Sequence, residues 1–269
     1  MAKDLVLMRS RGRAFQAVVI LLAAIAQIVC ARLTEVLDTG ISVELRSAVA
    51  THPLVPWNFA FTIWGAIFLF ALVSAIWQIL PEQKHNRALA AAGWNMAGIW
   101  AINALWQVWV PIAGFDWVSV VLVLSGLILG VSGLLKLRQD IQLSRLDEIM
   151  VFAPLALVTG WLTAAFSINV TTVLVSGYYA LDPSHVGVSL GFLVGLILFG
   201  GVMTWMTESL VYAGALMWAL FWIMMANIYR DNEPAMVTTS LIGIALIGLV
   251  SAWAVTHHHE SGPMHVRRG

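Results

Sequence analysis

Eight apolar runs, each close to the length that crosses a lipid bilayer, constrain this chain more than any other feature. They cover approximately residues 14–33, 58–80, 89–110, 117–136, 150–174, 186–206, 209–229 and 236–256. A hydrocarbon layer about 30 Å thick takes about 20 helical residues to cross, because backbone polar groups in lipid must be paired within the segment. Polar or helix-breaking stretches separate the runs, among them Pro81 to Arg87, Pro111 to Asp116, Arg138 to Glu148, Asp182 to His185 and Arg230 to Pro234. Composition agrees with a lipid solvent. Hydrophobic residues make up 60% of the chain, charged ones only 10%, and the mean hydropathy is +0.87, outside the range of soluble domains. The expected fold is all-α, a polytopic transmembrane helix bundle of about eight helices. Residues 186–229 are too long for one crossing, and only Thr207, Glu208 and Ser209 offer a turn. The sixth and seventh spans are therefore expected to form a tight helical hairpin.

Charge placement orients the bundle. With the N-terminus inside, Lys3, Arg9, Arg11, Arg13, Lys84, Arg87, Lys136, Arg138, Arg145, Arg267 and Arg268 fall on one side and only Arg32, Arg46 and Arg230 on the other. The positive-inside rule then places both termini in the cytoplasm. Arg9, Arg11 and Arg13 before an apolar run, with Val29, Cys30 and Ala31 at its end, also resemble a signal peptide. The run is long for that role and its removal would reverse the charge pattern of every later loop, so an uncleaved helix is expected.

Several chemistries lack their residues. Fourteen basic residues balance fourteen acidic ones, and no basic face concentrates for nucleic acid. One cysteine, Cys30, cannot form an internal disulfide or a cysteine metal cluster. The spans hold no ionisable side chain away from their ends, against ion-coupled transport. The only lysines are Lys3, Lys84 and Lys136, none in a late span where a retinal Schiff base would form. All seven histidines fall in expected loops or the tail, against haem held within the bilayer. The run His257, His258 and His259 reads as a polar interfacial tail rather than a metal site. Asn169 and Thr171 fit a glycosylation pattern inside an apolar helix, where it is no acceptor. No nucleophile, acid–base pair or metal cluster appears within the membrane, so no enzymatic activity and no required cofactor are expected.

What remains in the bilayer is aromatic and amide. Of thirteen tryptophans, Trp77, Trp94, Trp109 and Trp117 fit interfacial belts. Trp64, Trp100, Trp106, Trp161, Trp218 and Trp222 lie deeper or share faces with polar residues. In the third span Trp100, Asn103 and Gln107 recur at helical spacing, with Trp106 one turn from Asn103. The fifth span offers Gly160, Trp161, Ala164, Ala165, Ser167 and Asn169. A carboxamide in hydrocarbon requires a partner, and either helix packing or a ligand supplies one. On the expected orientation Trp57, Phe61, Trp64, Asn103, Trp106 and Asn169 share the outer half of the membrane, with Trp161 nearer the middle. Above them runs the longest external segment, Thr34 to Pro56, in which Ile41, Val43, Leu45 and Val49 interleave with Glu44 and Arg46 as in a short amphipathic cover.

Three patches carry a family resemblance. Phe61, Trp64 and Phe68 after Pro56 are similar to an F-x-x-W-x-x-x-Y pattern, Ile102, Asn103 and Trp106 to L-N-x-x-W, and Trp161 with Asn169 to W-x-x-F-A-x-x-L-N. In these helices and this order they resemble the translocator protein or tryptophan-rich sensory protein family (TspO/MBR), and more closely its longer, divergent bacterial members, over residues 14–174, which implies a bacterial inner membrane. The chain departs from it at Phe68, where the family has tyrosine, at Ala164 and Ala165 in place of phenylalanine and alanine, and at Pro154, set further from Trp161. The resemblance implies a five-helix core over residues 1–175, an additional three-helix membrane region over 176–256 and a polar tail over 257–269. It also implies binding of porphyrins or other flat hydrophobic molecules, including sterols, under the loop after the first helix.

The expected role is a membrane binding or sensory protein for a planar hydrophobic molecule, a porphyrin or sterol, in a pocket of Trp57, Phe61, Trp64, Asn103, Trp106, Trp161 and Asn169. A facilitator that moves a hydrophobic metabolite, and an accessory subunit of a membrane complex, are the alternatives. Membrane lipid is the other expected contact, and helices six to eight offer a face for a second copy or another membrane protein. Trp218 and Trp222 could sit on that face, though packing inside the bundle is the preferred reading.

Overall fold

The computed structural model describes residues 2–50, 52–176 and 185–258. Eight helical segments are long and apolar enough to span a membrane: Gly12–Leu33, Asn58–Trp77, Arg87–Ala113, Trp117–Gln139, Arg145–Val175, Val186–Thr207, Leu210–Asp231 and Pro234–Ala254. The helices containing them are α1 (Ala2–Val36), α3 (Ile63–Trp77, led in by a 3₁₀ turn over Asn58–Thr62), α4 (Arg87–Ala113), α5 (Trp117–Asp140), α7 (Ala153–Ser176), α8 (Val186–Thr207), α9 (Leu210–Ala226) and α10 (Pro234–His258). Short α2 (Val43–Ala48) lies in the expected external segment, and α6 (Arg145–Asp147) with a π-helical turn over Glu148–Phe152 leads into α7.

The helix ends follow from local chemistry. Ser42, Asn86 and Ser209 accept from backbone N–H groups three residues on, and Asp116 and Ser119 form a reciprocal capping box, which satisfies amides that a helix start leaves free. The α8–α9 hairpin turns at Glu208, which takes a left-handed conformation between Thr207 and the Ser209 cap. Gly40 has φ +76°, and a Cβ there would lie 2.6 Å from the Pro111 carbonyl oxygen. Only glycine allows that approach. It brings the Ile41 N–H to the Pro111 oxygen at 2.9 Å and seats the start of α2 on the end of α4.

Helices α1, α3, α4, α5 and α7 pack against one another, and α7 passes the contact on to α8 and α9, with α10 beyond them. Helix α7 is the hub: 72% of the residues in its most apolar window are buried, against 28% in α10. Its contact with α9 is close because a Cβ on Gly160 would stand 2.6 Å from the Tyr212 carbonyl oxygen and 2.9 Å from the Ala215 Cβ, so small residues set the spacing here. The Thr163 and Tyr212 hydroxyls meet across it at 2.9 Å. Trp161 and Tyr212 belong to one continuous buried core that spans both sides of residue 176.

Candidate functional site

Aromatic side chains from three spans meet near the α2 end of the bundle. Trp64 of α3 stands edge-on to Trp161 of α7 at 6.2 Å and stacks on Trp106 of α4 at 6.2 Å. Phe61 approaches Trp161 edge-on at 6.1 Å, and Trp106 contacts Phe115 at 6.4 Å. Both geometries suit the quadrupoles of aromatic rings. Together with Asn169, Ser47 of α2, Pro56, Ala165 and Ile168, these rings enclose a space of about 20 Å³. That holds about one water-sized sphere.

The polar atoms around this small space are unusual. The indole N–H groups of Trp64 and Trp106 and the Oδ1 of Asn169 are buried without a partner among the described residues. Asn169 spends its Nδ2 on the Ala165 carbonyl at 2.8 Å, a bond within its own helix. A buried donor or acceptor left unmade costs about 1–3 kcal/mol, so three of them around one space favour anything that can satisfy them.

A second cavity, of about 690 Å³, shares Phe61 and Trp64 as walls. Its other walls include Ala31, Arg32 and Glu35 from the end of α1, Asp38 to Gly40 and Ser42 to Glu44, Asn58 and Thr62 before α3, Gly65 and Phe68 from α3, and Gln107 and Pro111 from α4. A Cβ on Gly65 would meet nothing within 4 Å. The volume lies within the 300–1,000 Å³ typical of small-molecule sites. Two members of the aromatic cluster, Phe61 and Trp64, thus also wall a larger cavity under α2.

Five of the seven expected site residues, Phe61, Trp64, Trp106, Trp161 and Asn169, line the small space, and Phe61 and Trp64 also line the larger one. Trp57 and Asn103 line neither. The Trp57 ring turns to Tyr229 at 6.2 Å and its backbone N–H donates to the Trp222 carbonyl at 3.0 Å. Asn103 is buried against α1, its Nδ2 donating to Gln27 Oε1 at 3.3 Å. The sequence reading missed Glu35, Asp38, Asn58 and Phe115. They lie at helix ends and turns, where no periodicity marks a face.

The wall also has an anchor. Asn227 Nδ2 donates to the Pro53 carbonyl at 2.7 Å, Arg230 Nη2 to the Val55 carbonyl at 2.8 Å, and Trp218 Nε1 to the Ala60 carbonyl at 2.9 Å. Trp222 stacks on Phe59 at 5.5 Å. The tryptophans Trp218 and Trp222 therefore pack on the chain's own segment, and α9 with its following π-helical turn (Asn227–Asp231) holds the lead-in to α3. His52 completes the anchor through Nε2 and Thr172 Oγ1 at 2.9 Å. Burial first, then Arg230 and His185, hold its imidazole down to about 3, so it stays neutral at ordinary pH.

A third space, about 920 Å³, runs between α5, α7 and α8, lined by leucines, phenylalanines and Gly187, Gly191 and Gly195. Among the described residues no three His, Cys, Asp or Glu side chains gather as a metal site. The first two histidines of the 257–259 run fall in the last turn of α10, and His259 with the rest of the tail lies outside the described residues.

Comparison with known families adds one match. The family model described as TSPO-like protein matches residues 17–253. It reaches from the first span to the last, and so takes in α8, α9 and α10, which the five-helix resemblance leaves out. No curated protein and no solved structure matches the chain.

Proposed function

This chain belongs to the TSPO-like protein family, and on that premise we propose that it is a membrane binding protein for a planar hydrophobic small molecule of tetrapyrrole or sterol size. The ligand enters the cavity under α2 and lays its flat face against Phe61 and Trp64. The observation that carries this reading is the junction of two features at those residues: a cavity of about 690 Å³ on one side, and on the other a tight aromatic cluster with unpartnered Trp64, Trp106 and Asn169 atoms. A flat ring system gains from contact with Phe61 and the Trp64 indole, and a polar edge directed past them towards the small space pairs the orphaned groups. Binding proceeds without turnover of the ligand. On the positive-inside pattern the α2 end faces away from the cytoplasm, in a bacterial inner membrane.

The test uses protoporphyrin IX dimethyl ester, which offers the macrocycle without free carboxylates. Purified protein in lipid nanodiscs should bind it saturably with micromolar affinity, read from the shift of the porphyrin absorption band. Gly65→Phe, which fills the cavity from α3, should weaken binding at least about tenfold, since a pocket filled by a side chain excludes the ligand. Absence of saturable binding, or equal binding by a folded Gly65→Phe variant, sinks the reading.

A further inference from the structure

The cavity under α2 carries information about the charge of what it holds. Its rim contains Glu35, Asp38 and Glu44 but only one guanidinium, Arg32. Arg32 and Glu35 approach at 3.1 Å with side chains 74% and 73% exposed, a pairing that water and salt largely screen. Three carboxylates against one cation leave the rim negative. The neighbouring Arg46, whose Nη2 donates to the carbonyls of Pro111 at 2.9 Å and Ile112 at 3.2 Å at the end of α4, keeps its charge, and counting it still leaves the carboxylates in excess. Helices α1 and α4 bring C-terminal ends to this rim, while α2 and the lead-in to α3 bring N-terminal ends, so the helix dipoles largely offset one another and the carboxylates set the sign.

Aromatic side chains line the same cavity as the carboxylates. Trp64 stacks on Phe68 at 5.5 Å, and both line the cavity with Phe61. Trp64 is only 7% exposed, and its buried indole N–H has no partner among the described residues. Aromatic faces and carboxylates around one cavity attract a cation twice, through the ring quadrupole and through direct charge. A ligand carboxylate placed there meets repulsion instead.

We infer that this cavity selects planar hydrophobic ligands whose polar end carries a protonated amine, and discriminates against those that end in carboxylates. The inference rests on the binding reading above and adds to it the charge of the ligand. It sets apart a free porphyrin dicarboxylic acid from an amine-bearing molecule of the same shape.

Three porphyrins of one macrocycle test it: protoporphyrin IX, its dimethyl ester, and its bis-amide with N,N-dimethylethylenediamine, which is cationic at pH 7. Titrated into nanodiscs of zwitterionic lipid, the amide should bind tightest and the free acid weakest, with about tenfold between them, a span that a few partly exposed charge contacts supply. Raising salt from about 20 mM to about 500 mM should compress the span. In a Glu35→Gln, Asp38→Asn, Glu44→Gln triple variant it should fall to within about twofold, while Glu82→Gln, at a loop away from the cavity, should leave it intact. Equal binding of the three porphyrins, or an unchanged ranking in the triple variant, overturns the inference and leaves the binding reading standing. Failure of the neutral ester to bind overturns the binding reading, and the inference with it.

Discussion

The larger of the two major cavities is the less informative one. The groove between α5, α7 and α8 measures about 920 Å³ and the cavity under α2 about 690 Å³. The groove is lined by leucine, valine, phenylalanine and glycine, with Ser132, Thr163 and Ser167 as its hydroxyls. Nothing there can orient a ligand by charge, and lipid chains satisfy such a surface. The cavity under α2 is smaller, yet its walls combine carboxylates, amides and indoles, and the chain holds those walls in place from several directions. Chemistry and anchoring, rather than volume, are what favour the cavity under α2 as the proposed site.

That contrast can be broken where anchoring is strongest. Gly160→Val forces a branched side chain against the Tyr212 carbonyl and Ala215, separating α7 from the helix that anchors the wall. Overpacking of this kind costs about 3 kcal/mol, and thermal unfolding in nanodiscs should show a large loss of stability. A stability equal to the parent would mean that the contact is not what spaces these helices.

Next comes pH. The His52 imidazole is held down to about 3 in the fold, whereas an unfolded chain protonates it below about 6.5. Between those values only the unfolded state carries the extra proton, so stability falls as pH falls, by up to about 1.4 kcal/mol per pH unit. At pH 5 this amounts to about 2 kcal/mol relative to neutral pH. His52→Gln, which keeps a polar atom for Thr172 and cannot titrate, should flatten the profile over pH 4–6.5 when compared with the parent.

Asn227→Ala removes one anchor and leaves the Pro53 carbonyl without its donor, for an expected loss of about 1–2 kcal/mol. Its more specific signature is local: amide exchange across residues 53–60 should accelerate while α5 stays protected. Smallest of all is the change in the groove. A Cβ on Gly191 would meet nothing within 4 Å, so Gly191→Ala should leave stability within about 1 kcal/mol of the parent, on the stabilising side through helix propensity. Porphyrin affinity should not change. A marked loss of binding from Gly191→Ala would reverse the ranking of the two cavities.

Much of the architecture was legible because lipid imposes a simple grammar of length and polarity. The eight expected spans match the eight helical segments, and the division at Thr207 to Ser209 could be seen because Glu208 interrupts an otherwise apolar run. The aromatic cluster was legible for a related reason: Phe61, Trp64, Trp106, Trp161 and Asn169 sit on regular helices or next to them, where spacing defines a face. Trp57 and Asn103 were not placed by spacing. Trp57 precedes its helix, and its direction is set by bonding to Trp222, more than 150 residues away in the chain. Asn103 finds Gln27, a partner on α1 that no local pattern announces. The rim carboxylates escaped for the same physical reason, since residues at turns acquire neighbours only when helix ends converge.

The anchoring of Pro53, Val55 and Ala60 by Asn227, Arg230 and Trp218 also bears on how this architecture can be shortened. A chain cut after Ser176 would keep five membrane helices and every residue of the aromatic cluster. It would also leave three carbonyls of the doorway stripped of their donors, so the shorter protein would inherit the room but not its door frame. Deleting the last three helices is therefore a poor route to a stable five-helix protein. Residues 53–60 would have to change in step with the deletion, a coordinated revision that single substitutions do not supply.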